Sequence, residues 1–260
     1  MLILLICAAS IAALSVAWLI VRRLGDGGWT DVVWALSVGL IGAGAALWPA
    51  PDGAPARQGL AALLIGVWAL RLSGYLAVRT ARASVPDPRY EGFKKDWGGW
   101  GFKAWAFLMV QAATVVVLVV SIRAAATRPE PGLDWRDGLA VLVVVVAVAG
   151  EAVADHQMAA FRRNPANRGR VADTGLWAWS RHPNYFFEWM VWLAWPVMAL
   201  APVHAASWVT LPAPILMWWL LNHVSGVPML EAQMLKTRPE AYRDYQDRVS
   251  RFLPLPPRSR

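Results

Sequence analysis

A single cysteine, Cys7, stands in 260 residues. That excludes an internal disulfide framework and any multi-cysteine metal site. Histidine is scarce too, with four in all. His156, His182 and His223 are scattered, and no His/Cys/carboxylate set has metal-ligand spacing, so no metal is expected. The chain has no glycine-rich phosphate loop behind a strand, no Gly-x-Ser-x-Gly, and no room for a Rossmann domain. Any nucleotide must therefore be held by helices. Charge is in short supply as well: Asp, Glu, Lys and Arg make up 16% of the chain, against roughly 25% in soluble domains.

What fills the chain is apolar sequence, 57% of the residues, with a mean hydropathy of +0.40. Runs of about 20 apolar residues recur along its length, the signature of membrane-spanning helices. Seven stand out, at 2–21, 29–48, 59–78, 104–122, 137–157, 185–203 and 206–224. The expected fold is an all-α, multi-pass integral membrane protein of one domain. Residues 1–58 supply two N-terminal helices, 59–235 the main bundle, and 236–260 an amphipathic tail. The first segment ends in Arg22-Arg23 and reads as a retained helix rather than a removed signal.

The net charge of +8 raises the question of nucleic acid. Its distribution answers it. After segments one, three, five and seven the Lys and Arg counts are 2, 6, 5 and 7; the other side carries 1 and 3 after segments two and four, and none after segment six. That asymmetry predicts seven spans with the N-terminus outside and the C-terminus in the cytoplasm. The basic excess is topogenic, and no nucleic-acid partner is expected. In the tail, Leu230, Met234, Tyr242, Tyr245, Val249 and Phe252 form an apolar stripe that lies on the cytoplasmic interface or folds back on the bundle. Most of the 17 tryptophans are expected in interfacial belts, the rest inside.

Ionisable groups inside a membrane are costly and usually face a cavity or a partner. Glu151, Asp155 and Arg162 stand at i, i+4 and i+11, on one face if the fifth helix continues through them. They read either as an ion-pair ladder or as the polar wall of a cofactor pocket. Arg162, Arg163, Arg168 and Arg170 follow, and clustered guanidinium forks suit a phosphate-bearing ligand or anionic lipid headgroups. "WSRHPNYFFEW" opens the sixth segment with Asn184 and Glu188 at i, i+4 and Trp192 further along the same face. Asn184 can cap, or its amide can read a carboxamide edge. His182 is a structural donor or a proton donor. Arg71 and Tyr75 repeat the i, i+4 spacing on the third segment, with Arg79 and Arg82 beyond. Asp31 stands in the second.

"GLWAWSRHPNYFFEW" with the upstream "EAVADHQMAAFRRNP" resembles bacterial membrane proteins related to steroid 5α-reductases and sterol C14/Δ7 reductases, over roughly 60–253. The resemblance implies a helical bundle that binds NADPH from the cytoplasmic side and passes a hydride to an activated carbon–carbon double bond in a lipid. It implies cofactor contacts at Arg71, Arg82, Asp155, Arg162, Arg170, Asn184 and Glu188. Tyr185 matches the motif tyrosine, and Glu151 stands where the family has asparagine. Near the C-terminus Asn222 and His223 are the nearest polar counterparts of a family cofactor set, and His182 belongs to the motif itself. Where the steroid reductases polarise the substrate carbonyl, this chain offers Asp31 and Trp34, with Trp68 at a tyrosine position; Trp34, Trp68 and Trp192 are the expected substrate walls. Tyr75, a protonated Asp31 or Tyr185 would then stabilise the charge that develops on the carbonyl oxygen.

The expected substrate is a lipid-soluble, sterol-like or other enone, and the expected location a bacterial inner membrane, among its lipids. An Arg-His-Pro-x-Tyr motif and a tail like "LEAQMLKTRPEAYRDYQDRV" also occur in isoprenylcysteine carboxyl methyltransferases, which would put S-adenosylmethionine in place of NADPH. A non-catalytic lipid-binding membrane protein is the third reading. Asn184 and the Asp155/Arg162/Arg170 set favour the reductase.

Overall fold

The structure is a computed structural model and describes residues 1–51, 53–201 and 205–258. Among them it is helical, with no strand. Helices α1 (Leu2–Leu24), α2 (Gly28–Leu47) and α3 (Pro55–Ala81) come first, then a short α4 (Pro88–Trp97), α5 (Phe102–Ala126) and α6 (Trp135–Arg163). After them come α7 (Pro183–Met198), α8 (Ala205–Trp208), α9 (Pro212–Trp219), α10 (Val227–Thr237) and α11 (Pro239–Arg248).

Five helices (α1, α2, α3, α5 and α6) are long and apolar enough to cross a membrane. The last two apolar segments take another form. α7 has 16 residues with Pro196 near its end, about 24 Å of helix against a hydrocarbon core of about 30 Å. The segment expected at 206–224 is broken into α8, α9 and a π-helical turn at Leu220–Val224. Pro212 and Pro214 restart the backbone there, because a proline removes an intrahelical donor. Residues 202–204, where the sixth and seventh expected segments meet, lie outside the described residues.

The chain divides into two compact units, one of residues 1–140 and 195–213, the other of 141–194 and 214–260. In the first, α2 packs on α1, α3 and α5. Small residues set the approach: a Cβ at Gly39 would collide with Ala69 of α3, and one at Gly42 would press on Ile122 of α5. Close contact through small residues is how helices associate where lipid removes the hydrophobic drive.

The four arginines on the sparsely charged side of the sequence map are all engaged in this unit. Arg57, fully buried, donates to Asp137 Oδ1 at 3.0 Å and to the carbonyls of Arg128, Glu130 and Gly132. Arg128, 2% exposed, donates to Asp137 Oδ2 at 3.1 Å, to Asp134 at 2.8 Å and to the Met198 carbonyl at 2.7 Å. Arg136 pairs with Asp134 and Glu130, and Arg123 donates to the last carbonyls of α2. Arg57, Arg128 and Arg136 are thus neutralised locally, and Arg123 is held by carbonyls. Arg22, Arg23, Arg82, Arg162, Arg163, Arg168 and Arg170, on the basic side of the map, are all exposed and form no ion pair among the described residues.

Candidate functional site

In the second unit, α6 does run unbroken through Glu151, Asp155 and Arg162, so one helix face carries all three. Glu151 is 3% and Asp155 5% exposed, whereas Arg162 is exposed at the end of the helix. α7 crosses α6 at Gly150, where an added Cβ would enter the Phe187 ring. Glu151 and Glu188 are each one residue from that crossing, and Glu188 is 6% exposed. Gly150→Val is expected to push the helices apart and cost about 1–3 kcal/mol. Denaturant titration of the purified variant checks this, and an unchanged midpoint would place the crossing elsewhere.

The segment from α6 to α7 is pinned rather than loose. Asn164 caps a 3-10 turn at Pro165–Asn167, and the exposed Arg162, Arg163, Arg168 and Arg170 flank it in sequence with no side-chain partner among the described residues. Gly175 holds φ +61 against the Gln157 side chain, a left-handed conformation that favours glycine. Gln157 accepts from the Leu176 amide, and Trp177 Nε1 donates to the Ala154 carbonyl at 3.0 Å, beside Asp155.

Asn184 occupies the second position of α7, after Pro183, so it is not the capping residue. Its half-buried amide makes no hydrogen bond among the described residues. One turn deeper stands Glu188, then Trp192, fully buried.

The tail folds back on the Trp179–His182 loop. Arg181 Nε donates to Glu231 Oε1 at 2.7 Å, and its Nη1 to the carbonyls of Gln246 and Val249. His182 Nε2 donates to the same Glu231 oxygen at 3.2 Å, since a carboxylate only accepts. Gln246 donates to Glu231 Oε2 at 2.9 Å, and the Tyr242 hydroxyl to Oε1 at 3.3 Å. The Tyr245 hydroxyl donates to the Trp177 carbonyl at 2.5 Å, and Ser180 Oγ to the Phe252 carbonyl. Phe252 meets the rings of Phe186 and Trp189 on α7.

Burial pushes the Glu231 carboxyl up, but hydrogen bonds from His182 and Arg181 and the Arg181 charge overcome it and hold it down to about 2. Burial lowers the His182 imidazole below its ordinary value despite Glu231. Burial likewise raises the phenols of Tyr242 and Tyr245, which stay protonated donors. His182 also stacks on Tyr185, with ring centroids 5.8 Å apart and planes at 11°.

Asn222 lies in the π turn, 4% exposed, and donates to the Trp218 carbonyl at 3.0 Å. Its own carbonyl accepts from Arg251 at 2.6 Å. Single π turns inside α-helices are frequent at functional sites.

The remaining sequence candidates belong to the first unit. Arg71 lies over the Tyr75 ring at 5.5 Å, and Arg82 is exposed at the end of α3. Trp34 meets the fully buried Trp68 edge-on at 6.3 Å and donates to Thr114. Asp31 accepts from Arg89 and from the Tyr90 hydroxyl, each at 2.6 Å. Burial, followed by the Asp31 charge, pushes the Tyr90 phenol well up, which keeps it a donor.

Sequence reasoning missed Arg89 and Tyr90 as partners of Asp31, and Glu231 as the partner of His182, with Arg181 and Gln246 on the same carboxylate. Arg181, Glu231 and Gln246 lie in the two stretches quoted above, whereas Arg89 and Tyr90 fall in the basic loop after the third segment. What was absent was any local spacing to join them, since Arg181 and Glu231 are 50 residues apart.

These long apolar helices, with buried carboxylates along two of the helices, define a multi-pass membrane protein. Residues 17–249 match the model of DUF1295, a protein family of unknown function, and the chain belongs to that family. It is also 36% identical over 83 residues to the uncharacterized protein C594.04c of Schizosaccharomyces pombe, a match spanning 31% of this chain and 23% of that protein.

Proposed function

We propose that this chain is an NADPH-dependent reductase of a carbon–carbon double bond in a membrane-soluble enone, steroid-like in chemistry. The cofactor part concerns the second unit alone. The observation that carries it is a half-buried Asn184 amide without a partner among the described residues, one turn above buried Glu188, in a unit where the end of α6 and the loop after it carry four exposed arginines with no ion pair among those residues. A carboxamide with both donor and acceptor suits the nicotinamide amide, and guanidinium forks suit the phosphates. S-Adenosylmethionine has no phosphate for those arginines to meet, which is the physical ground for preferring the dinucleotide.

In this reading Asp155, Arg162, Arg170, Asn184 and Glu188 hold NADPH, with Glu151, His182 and Asn222 at its margins. Hydride delivered to the β-carbon builds negative charge on the enone oxygen, and a preorganised donor there sets much of the rate. Tyr185, stacked on His182, is the hydroxyl of this unit suited to that task. Asp31, already accepting from Arg89 and Tyr90, is the less suited of the sequence candidates. The protein sits in a bacterial cell membrane in this proposal, with the two shorter segments completing seven crossings, the N-terminus outside and the arginine loop in the cytoplasm.

The test is ligand-linked stability in detergent. NADPH at 100 times its dissociation constant is expected to stabilise the protein by about 2.7 kcal/mol, and S-adenosylmethionine to leave the melting temperature unchanged. Arg162→Ala and Asn184→Ala should remove most of the NADPH shift, and NADPH absorbance should decay when a steroid enone is added. A shift with S-adenosylmethionine alone would establish methyl transfer instead, and an undiminished NADPH shift in both variants would sink the site assignment.

A further inference from the structure

The first unit carries an open groove of about 780 Å³ lined by Trp18 and Arg22 of α1, Trp100, Gly101, and Phe102 and Trp105 of α5. That volume is within the roughly 300–1,000 Å³ of small-molecule sites. The walls are fixed by the protein itself: Trp18 Nε1 donates to the Trp100 carbonyl at 3.0 Å, and Trp105 Nε1 to Ser15 Oγ at 3.1 Å. These two indole donors are thereby satisfied internally, while the Nε1 of Trp100 is buried without a partner among the described residues. Phe102 stacks on Trp105 at 5.5 Å yet stays 75% exposed.

The groove has a charged rim. The Arg22 guanidinium lies 5.2 Å from the Trp18 ring centroid, and neither Arg22, Arg23 nor Lys103 forms an ion pair among the described residues. The nearby Asp26 carboxylate is turned instead to the amides of Gly28 and Asp87. Below Trp18 on the same face of α1, Ile11 and Leu4, seven and fourteen residues back, are exposed. One end is therefore cationic and unneutralised, the middle aromatic, and the adjoining surface aliphatic.

The inner end is closed. A second cavity behind Trp18 and Trp100, reaching Thr30 and Tyr90, holds only about 10 Å³, barely room for one water. An occupant must stay at the surface, with its chain along α1. The geometry points to a site for an anionic glycerophospholipid: phosphate on Arg22 and its neighbouring cations, glycerol against the tryptophans, one acyl chain along Ile11 and Leu4. A zwitterionic lipid offers the same chains but brings its own cation to the rim. The site uses none of the residues assigned to the cofactor and does not depend on that assignment.

Native mass spectrometry of the full chain, titrated with phosphatidylglycerol or phosphatidylcholine, tests this. One phosphatidylglycerol should be retained in preference to phosphatidylcholine, and excess inorganic phosphate should not displace it. Arg22→Gln should cut that preference about fivefold, the value of one interfacial cation. Arg22→Lys should keep it, and the exposed Arg243→Gln should leave it untouched. Phe102→Ala, outside the core, should weaken retention of both lipids. Equal retention of the two lipids by the parent chain would overturn the proposal, as would an Arg22→Gln protein that keeps its preference. So would a two-chain species abolished by Phe102→Ala, because a second copy would then fill the groove.

Discussion

Asp137→Ala is expected to lower unfolding stability by about 3–5 kcal/mol, the usual cost of removing one partner from a buried ion pair. Asp137 is 1% exposed and is the shared acceptor of Arg57 and Arg128, both essentially buried. It also accepts from the Asp134 amide at 2.9 Å, which fixes the entry to α6. Its loss leaves two guanidinium groups in a low-dielectric site. Arg57 would keep its carbonyl partners and Arg128 keeps Asp134 and Glu130, so the effect belongs at the lower part of that range. Asp134→Ala gives the contrast: its side chain is 30% exposed, so the loss should be about 1 kcal/mol. Detergent-denaturant titration of the two proteins measures the difference, and equal midpoints would show that Asp137 does not hold the network together.

An all-apolar replacement would not restore this stability in the way it can for an isolated pair. Arg57 and Arg128 also satisfy the carbonyls of residues 128, 130, 132 and 198. Buried carbonyls deprived of donors carry their own desolvation cost. The arginines thus bind a loop that has no regular secondary structure, and in sequence they looked only like a small cationic contribution to one side of a membrane.

That difference marks what was legible in the chain. Apolar runs showed α1, α2, α3, α5 and α6, because a continuous run of that length has few other uses. The breaks in the last segment escaped notice because hydropathy sums composition and is blind to continuity. Pro212 and Pro214 were readable as breakers, yet they lie among Leu, Ala and Ile that keep the average high. Glu151 and Asp155 could be joined because four residues on a helix is a spatial relation. Nothing equivalent ties Arg181 to Glu231, or Asp31 to Arg89. Tyr242 and Tyr245 were read for their rings, which do pack with Val249 against Met234 and Leu235. Their hydroxyls, reaching Glu231 and Trp177, depended on where the tail came to rest.

Glu231 should be the residue whose loss releases the tail from the α7 entry. Glu231→Ala removes the acceptor shared by Arg181, His182, Tyr242 and Gln246. A loss of about 2–3 kcal/mol is expected, the scale of hydrogen bonds to a charged group. Acid should reproduce part of it. The Glu231 carboxyl titrates near 2 when folded and near 4.5 when unfolded, so the unfolded chain binds the proton first. Its contribution is complete above about pH 5 and is lost as pH falls through 4.5 toward 2, on the order of 2 kcal/mol after solvent screening at its partly open rim. His182 acts in the same direction from a higher pH: its folded value lies below 6.5, so the unfolded state takes up that proton first and acidification below 6.5 favours unfolding. The parent protein should therefore lose stability in two stages as pH falls. Glu231→Gln should abolish the lower stage, while the decline below 6.5 remains because His182 is still buried. If the lower stage persists in Glu231→Gln, other carboxylates govern it. Because Asn184 is two residues from His182, the same variant should also bind NADPH more weakly at neutral pH, where His182 is neutral. A stability loss without any change in NADPH affinity would separate the tail's structural role from the proposed cofactor site.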